Sequence, residues 1–314
     1  MKAGAVVVNY NSGTDLTQCL AALLAQEPPV AVVVVDCAST DSSQAVAASP
    51  PAGVRAVLLQ ENVGFAGGCN RGLEALGADC DVVGFFNPDC FPSPSYFRVC
   101  LEVLAHNPRV GGVAGRLVRP GGELLDSCGQ TLTPLLLRVR DRGYGRPAAG
   151  AFLVADRVLA ACGAAAVFRR RALEEVAVEG RVFPEEFFAF WEDVDLGWRL
   201  GNAGWQVRYE PEAVAVHRRG GTAGPGSGRL IFRRPPELAA CVILNRWGTL
   251  VRNAHWIDLA LRLPLLLAAD VGLTAAVAVR QPRLLPALVR GVPRLRHAVR
   301  VRRRLVQRRL KELR

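Results

Sequence analysis

Val82-Val83-Gly84-Phe85-Phe86-Asn87-Pro88-Asp89 decides the fold of this chain. An apolar run without alternation describes a strand buried on both faces, and such strands belong to parallel sheets covered by helices above and below. The run stops at Asn87-Pro88-Asp89, where proline fixes φ between two oxygen-bearing side chains. Ligands of parallel sheets gather at the carboxyl ends of the strands, which is where Asn87 and Asp89 stand.

Toward the N-terminus the same unit recurs. Ala5–Asn9 is a short β-branched run, and Leu16, Leu20, Leu23 and Leu24 follow at helical spacing, with Thr14 or Asp15 placed to cap. Val30–Asp36 reads as a second buried strand, Ser39-Thr40-Asp41 opens a helix reaching Ala48, and Val54–Leu59 reads as a third strand. A Gly-rich turn at Gly64–Gly68 precedes a short helix through Leu76, and Ser93–Leu104 forms another helix after the Val82–Asn87 strand. The expected fold is therefore α/β, with a mainly parallel central sheet and helices on both faces.

Toward the C-terminus the pattern loosens. From about Gly111 to Arg181 the chain is rich in Gly, Arg and Ala, and few elements are expected. It tightens at Pro184–Ala203, with a helix from Glu192 to Asn202 that Gly201 and Gly204 are placed to stop. Trp205–Tyr209 and Val214–Val216 read as two short strands, the second ending in His217. The Gly-rich stretch Gly220–Gly228 reads as a flexible loop, and Arg233–Arg252 as helix.

Composition narrows the function. The 314 residues are 50% apolar and 21% charged, which excludes a disordered or low-complexity chain. The net charge of +11 is local: Arg280–Arg314 holds 13 Arg or Lys and one acid, and the remainder holds 26 basic and 27 acidic residues. A neutral body with a basic tail does not make a nucleic-acid-binding protein. The nine cysteines form no C-x-x-C pair, so zinc and redox sites are not indicated. With no signal peptide apparent, they read as reduced, buried thiols of a cytoplasmic protein.

Three groups of residues could carry chemistry. Asp36 and Asp89 each follow a strand, where a carboxylate can bind a ribose, hold a divalent cation, or simply cap the next helix. Asn62-Val63-Gly64-Phe65-Ala66-Gly67-Gly68-Cys69-Asn70 is neither a P-loop nor a G-x-G-x-x-G motif, and serves as either a phosphate cradle or a close-packed turn. Glu192-Asp193-x-Asp195 puts three carboxylates in four residues after an aromatic run. On a helix Asp193 and Asp195 point about 200° apart, so they cannot share one task. One of them beside aromatics suits a general base, or the cluster caps and pairs. His217 at a strand end is open between a ligand and a structural role.

In collinear order, Val-Val-Asn9-Tyr10-Asn11, Asp36-x-x-Ser39-x-Asp41, Asn62-x-Gly64-Phe65-x-x-Gly68-x-Asn70, Asn87-Pro88-Asp89, Gly163-Ala164, Arg169-Arg170, Phe187-Phe188, Glu192-Asp193-x-Asp195-Leu196, Gly204-Trp205 and His217 resemble the family 2 glycosyltransferases, most of all their rhamnosyltransferase-like branch. The resemblance spans roughly residues 4–222. It implies a GT-A fold and inverting transfer of a sugar, such as rhamnose, from a nucleoside-diphosphate sugar linked to dTDP, UDP or GDP. It further implies that Asn9, Tyr10, Asn11, Asp36, Ser39 and Asp41 serve the nucleotide and that Asn62, Gly64, Phe65, Asn70 and Asn87 serve the nucleotide-sugar. Asp89 and His217 would hold Mg²⁺ or Mn²⁺, Asp193 would be the base, and Trp191 and Glu192 would lie on the acceptor side. The sequence departs from the family at Cys37, where Asn is common, at the single carboxylate of the Asn-Pro-Asp motif, and over Arg119–Ala160, which carries no alignable motif.

The chain divides into a catalytic domain over 1–230 and a C-terminal helical, apolar and basic region over 231–314. Leu263–Val279 is 17 residues interrupted by Asp270, short for a bilayer span. A central Asp costs about 2.5–3.5 kcal/mol on insertion scales, which disfavours spanning. Leu284, Leu285, Leu288, Val292, Leu295 and Val299 are expected to give the basic helix one apolar face that lies on an anionic membrane. That suggests a protein on the inner face of the plasma membrane with a lipid-linked saccharide acceptor, in cell-envelope polysaccharide synthesis. A non-catalytic glycosyltransferase-like subunit that binds a nucleotide or a partner is the alternative.

Overall fold

The computed structural model describes residues 1–219, 231 and 234–312. The chain runs β1 (Ala3–Asn9), α1 (Asp15–Leu24), β2 (Ala31–Asp36), α2 (Ser42–Ala48), β3 (Val54–Leu58), α3 (Gly64–Leu76), β4 (Val82–Phe86), β5 (Cys90–Pro92), α4 (Tyr96–His106) and β6 (Val110–Val118). It continues through β7 (Leu125–Ser127), β8 (Gln130–Leu132), β9 (Val139–Asp141), β10 (Asp156–Val158), β11 (Ala165–Arg169), α5 (Arg170–Val176), α6 (Glu192–Asn202) and β12 (Gln206–His217). Three helices follow: α7 (Pro236–Asn253), α8 (Trp256–Arg280) and α9 (Leu284–Glu312).

The main sheet has the order β10-β12-β6-β11-β4-β1-β2-β3. β1 pairs in parallel with β2 and β4, β2 with β3, and β6 with β12, whereas β11 lies antiparallel between β4 and β6. The sheet is therefore mostly parallel, as expected. Both faces are covered, because successive strand residues point to opposite sides. Val6, Val8, Val33, Val35 and Phe85 join one core with Ala66 and Cys69 of α3, and Ala5, Val7, Val32, Val34 and Phe86 join another with Leu16 and Leu20 of α1 and Phe97 of α4. All nine cysteines are free and eight are buried, Cys162 being half-buried.

Four elements differ from the sequence reading. The glycines at 64–68 are not a turn before a helix but its first turns. A Cβ at Gly68 would stand 2.4 Å from Val8 Cγ1, and one at Gly72 only 2.1 Å from Val6 Cγ1, so the glycines let α3 lie directly on β1. The supposedly loose 111–181 stretch contains β6 and β11, two strands at the centre of the sheet. β6 is glycine-rich because a Cβ at Gly112 would meet Phe168 at 2.8 Å, and one at Gly115 would meet the Ala213 carbonyl at 2.5 Å. Packing here overrides propensity. The two short strands at 205–216 are one, β12, bent by a register shift between Glu210 and Val214.

The fourth difference is the basic helix. It packs against protein: of the face expected to lie on a membrane, Leu284 is buried and Leu288 and Leu295 pack against the same cluster, whereas Leu285, Val292 and Val299 are exposed. The buried side is Leu284, Ala287, Gly291, Ala298 and Val301, because small residues let α9 approach α7; a Cβ at Gly291 would stand 2.1 Å from Leu244 Cδ1. α8 is long and apolar enough to cross a bilayer by length and composition alone. Its Asp270 is buried, however, in an ion pair with Arg246 of α7. The expected Gly220–Gly228 loop, and the boundary at 230, lie outside the described residues.

Candidate active site

At the carboxyl ends of β1 and β2 the side chains form one knot. The buried Asn9 amide donates to Asp36 Oδ1 at 2.6 Å, Ser39 Oγ at 3.1 Å and Ser43 Oγ at 3.0 Å, and Asp36 Oδ2 accepts from Ser39 N at 3.0 Å. Ser39 Oγ accepts from Asn11 N at 3.0 Å, and Asn11, at φ 49°, accepts from Thr40 N at 2.7 Å. Asp41 caps α2 by accepting from Ser43 N at 3.0 Å and reaches Gly13 N at 2.7 Å. Burial would raise Asp41, but the hydrogen bonds from Ser43 and Gly13 bring it below the usual carboxylate range. Tyr10, half exposed, projects from this knot.

Next to it opens a cleft of about 690 Å³. Phe65, Asn87, Asp89, Trp191, Glu192, Asp193 and His217 line it, bringing together the ends of β4 and β12, the start of α3 and the start of α6. His217 Nε2 lies 3.4 Å from Asp89 Oδ1, and its Nδ1 lies 2.7 Å from Asp126 Oδ2. Burial alone would lower His217, but hydrogen bonds to Asp126 and Asp89, and their charges, hold it up at about 9. Asp126 is fully buried and also pairs with Arg219. Burial would raise its carboxyl, but His217 and Arg219 together hold it below the usual range.

An imidazole fixed through one nitrogen by a buried carboxylate, with the other nitrogen facing a second carboxylate, is the arrangement of a metal-ligating His and its supporting shell. Among the described residues no cluster of three or more His, Cys, Asp or Glu is placed to hold a metal. Asp89 and His217 could hold a cation only if substrate oxygens and water filled its other positions, as they commonly do at Mg²⁺ sites.

In the same cleft, α6 separates its carboxylates as the 200° offset requires. Asp195 is fully buried between Arg199, 2.8 Å from Nε, and Arg252, 3.4 Å from Nε, with Asn253 donating to Oδ1 at 2.8 Å. Burial would raise it, but the two guanidinium groups hold it below its usual range. Asp193 instead accepts from Gln130 Nε2 at 2.9 Å and Gly163 N at 3.0 Å on Oδ2, and from Val194 N at 2.8 Å on Oδ1. No cation pairs with it among the described residues, and burial lifts it above the usual range against those three donors. Glu192 is 6% exposed, and its Oε2 has no partner among the described residues. Burial first, and then the adjacent Asp193, push it far up.

The aromatic run before α6 is strained. Phe188, Phe190 and Trp191 have φ of 60°, 72° and 74°, values rare for bulky residues. Phe188, at ψ −64°, makes a γ-turn closed by Ala189 N donating to Phe187 O at 2.6 Å. Gly64 is required beneath it, since a Cβ there would stand 2.3 Å from the Phe188 carbonyl oxygen.

Of the other expected residues, Asn62 accepts from Gly64 N at 2.8 Å and so shapes the start of α3. Asn70 does not line the cleft: its amide donates to Phe183 O at 2.9 Å and its carbonyl accepts from Phe183 N at 3.0 Å, pinning α3 to the following chain. Sequence reading passed over Gln130, Asp126 and Arg219. The first two lie in the segment without an alignable motif, where no local pattern marks them.

The glycosyl transferase family 2 model matches residues 5–177. An N-acetylglucosaminyl-diphospho-decaprenol L-rhamnosyltransferase of Mycobacterium tuberculosis is 30% identical over 245 residues, covering 70% of this chain and 76% of its own. Among solved structures, a mannosyltransferase from Pyrobaculum calidifontis in complex with GDP-Man and Mn²⁺ superposes with a TM-score of 0.54 at 19% identity, covering 99% of this chain and 87% of its own. S. aureus TarS 1-349 in complex with UDP-GlcNAc superposes with a TM-score of 0.52 at 16% identity, covering 97% and 92%.

Proposed function

Because this chain belongs to glycosyl transferase family 2, with the GT-A fold, we propose that it transfers a sugar with inversion from a nucleoside-diphosphate sugar to a hydroxyl of a lipid-linked saccharide. Its membership of the family makes it a nucleotide-sugar glycosyltransferase, similar to the rhamnosyltransferases. The transferred group is L-rhamnose and the acceptor a polyprenyl-diphosphate-linked N-acetylglucosamine, on the strength of what the mycobacterial relative is named for.

One observation carries the mechanism: Asp193, which has no cationic partner among the described residues, lines the same cleft as the Asp89–His217 pair. Asp193 takes the proton of the acceptor hydroxyl. Its three N–H donors fix the carboxylate, and its burial lifts its basicity toward working pH, which is what a general base needs. Asp89 and His217 would hold Mg²⁺ or Mn²⁺, which would supply positive charge to neutralise the departing diphosphate. Tyr10, Asn11, Asp36, Ser39 and Asp41, shaped by Asn9, take the nucleoside at the neighbouring strand ends, and Asn62, Gly64, Phe65 and Asn87 the rest of the donor. Trp191 and Glu192 face the acceptor. Inversion is a single in-line displacement, so no protein nucleophile is required.

The catalytic domain over 1–230 is joined to a helical region over 231–314 that rests on the inner face of the plasma membrane. The support is the exposed side of α8, with Trp256, Leu261, Leu265 and Val271, beside the basic stretch that begins at Arg280. A thermal-shift screen of UDP, dTDP and GDP, with and without Mn²⁺ or Mg²⁺, tests this reading. A ligand at 100 times its Kd stabilises by about 2.7 kcal/mol. Metal-dependent stabilisation by one nucleotide supports transfer, and the absence of any shift favours a subunit that binds no donor.

A further inference from the structure

The strained aromatic segment is held from outside the residues that the family model matches. Asn245 of α7 is 1% exposed, and its Nδ2 lies 2.8 Å from Phe187 O, 2.9 Å from Ala189 O and 2.9 Å from Phe190 O. Two amide protons are thus shared among three carbonyls, and Oδ1 has no partner among the described residues. This amide serves as a donor alone.

The three carbonyls flank the positive-φ residues Phe188, Phe190 and Trp191. Such a backbone persists only where its surroundings over-determine it. Other ties also hold the segment: Phe188 N donates to Glu185 O at 3.0 Å, Ala66 N donates to Phe188 O at 3.1 Å, Arg234 lies over the Phe190 ring at 3.9 Å, and Asp195 N donates to Trp191 O at 2.8 Å, where the segment runs into the first turn of α6 and into Asp193. Gly248, one turn along α7, lies under the Phe187 ring, where a Cβ would come within 3.2 Å. The neighbouring Arg246 bonds both Asp270 of α8 and the Leu136 carbonyl in the loop between β8 and β9. α7 therefore joins the acceptor wall of the cleft to the helix with the exposed apolar side.

We propose that Asn245 is a positioning residue for the transfer reaction, its amide fixing the Phe187–Trp191 backbone so that Trp191 and Asp193 are presented to the acceptor. This rests on the transferase reading above. A small displacement of a reacting group is enough to lower turnover steeply, so the effect falls on kcat rather than on donor binding.

Asn245→Leu keeps the size and removes the donor, and Asn245→Ser keeps a shorter donor. In Asn245→Leu, kcat should fall by about 10- to 100-fold while the donor KM changes less than about twofold, with Asn245→Ser intermediate. Hydrogen exchange of the peptide spanning 187–195 should quicken by about tenfold or more while the strands β1 and β2 keep their protection. Unchanged exchange at 187–195 overturns the proposal, as does a loss of kcat matched by an equal loss of donor affinity in both variants. If the wild-type protein transfers no sugar, the transferase reading fails instead, and the exchange experiment still decides whether Asn245 holds the segment.

Discussion

Gln130 Nε2 donates to Asp193 Oδ2 across 2.9 Å, linking a residue of β8 to the carboxylate that faces the cleft. The bond favours the ionised form of Asp193, since a donor stabilises the charged carboxylate. In Gln130→Leu the Asp193 carboxyl should therefore rise further, and the acid limb of the kcat–pH profile should move to higher pH by about one unit. A profile that does not move would mean that Asp193 is not the group whose ionisation limits turnover.

His217 and Asp126 should make the proposed cation site sensitive to pH. His217 stands at about 9 in the folded protein against an ordinary 6.5, so its contribution to stability is complete below about 6.5 and is lost as pH rises through about 9. The window spans on the order of 3 kcal/mol, shared with Asp126 and Asp89. Melting temperature without metal should fall between pH 6.5 and 9, and His217→Gln should flatten that fall. A metal ligand must be neutral imidazole, so Mn²⁺ binding at pH 7 should release a proton, measurable by calorimetry in buffers of different ionisation enthalpy. Asp126→Asn should weaken Mn²⁺ affinity by about 10- to 100-fold.

Asp195, two residues from Asp193, belongs to stability. Burial and the paired Arg199 and Arg252 make it a compensated internal charge, and removing it leaves two buried guanidinium groups facing each other. Asp195→Ala should cost about 3–5 kcal/mol in denaturant unfolding, with kcat per folded molecule little changed. Its folded pKa is depressed, so the stability that it supplies is present above its unfolded value and is lost as pH falls through the folded one. Equal stability of Asp195→Ala and wild type would refute this division of labour between the two aspartates.

The contrast between those aspartates was legible in the sequence, because helix periodicity alone separates positions 193 and 195. So were β1, β2 and β4, whose unbroken apolar runs leave no other reading. β6 was not, because its glycines signal a loop locally and are explained only by Phe168, Tyr96 and Ala213 pressing on them from distant parts of the chain. Asn70 illustrates the reverse case: it sits in a recognisable motif, yet its side chain is spent on Phe183. Gln130 and Asp126 act across 63 and 91 residues of sequence, on Asp193 and His217, and no local pattern encodes such partners.

The helical region should partition onto anionic membranes through both its apolar and its basic side chains. Arg296, Arg300 and Arg303 are exposed on α9, and each basic residue near an anionic surface adds about 1 kcal/mol. Changing all three to Ala should lower binding to phosphatidylglycerol-containing vesicles by about 100-fold. Leu261→Glu with Val271→Glu on α8 should release the protein without altering its melting temperature, since both side chains are exposed. Retained vesicle binding in both variants, or equal affinity of the wild type for duplex DNA, would count against a membrane role.

If Asp193 removes the acceptor proton, Asp193→Asn should separate chemistry from binding, with turnover measured beside metal-dependent nucleotide binding. The amide keeps the shape of the carboxylate but cannot take a proton. Turnover should fall by about 10²- to 10⁴-fold with nucleotide affinity nearly intact. Near-wild-type turnover in Asp193→Asn would contradict the account and move the base elsewhere in the cleft.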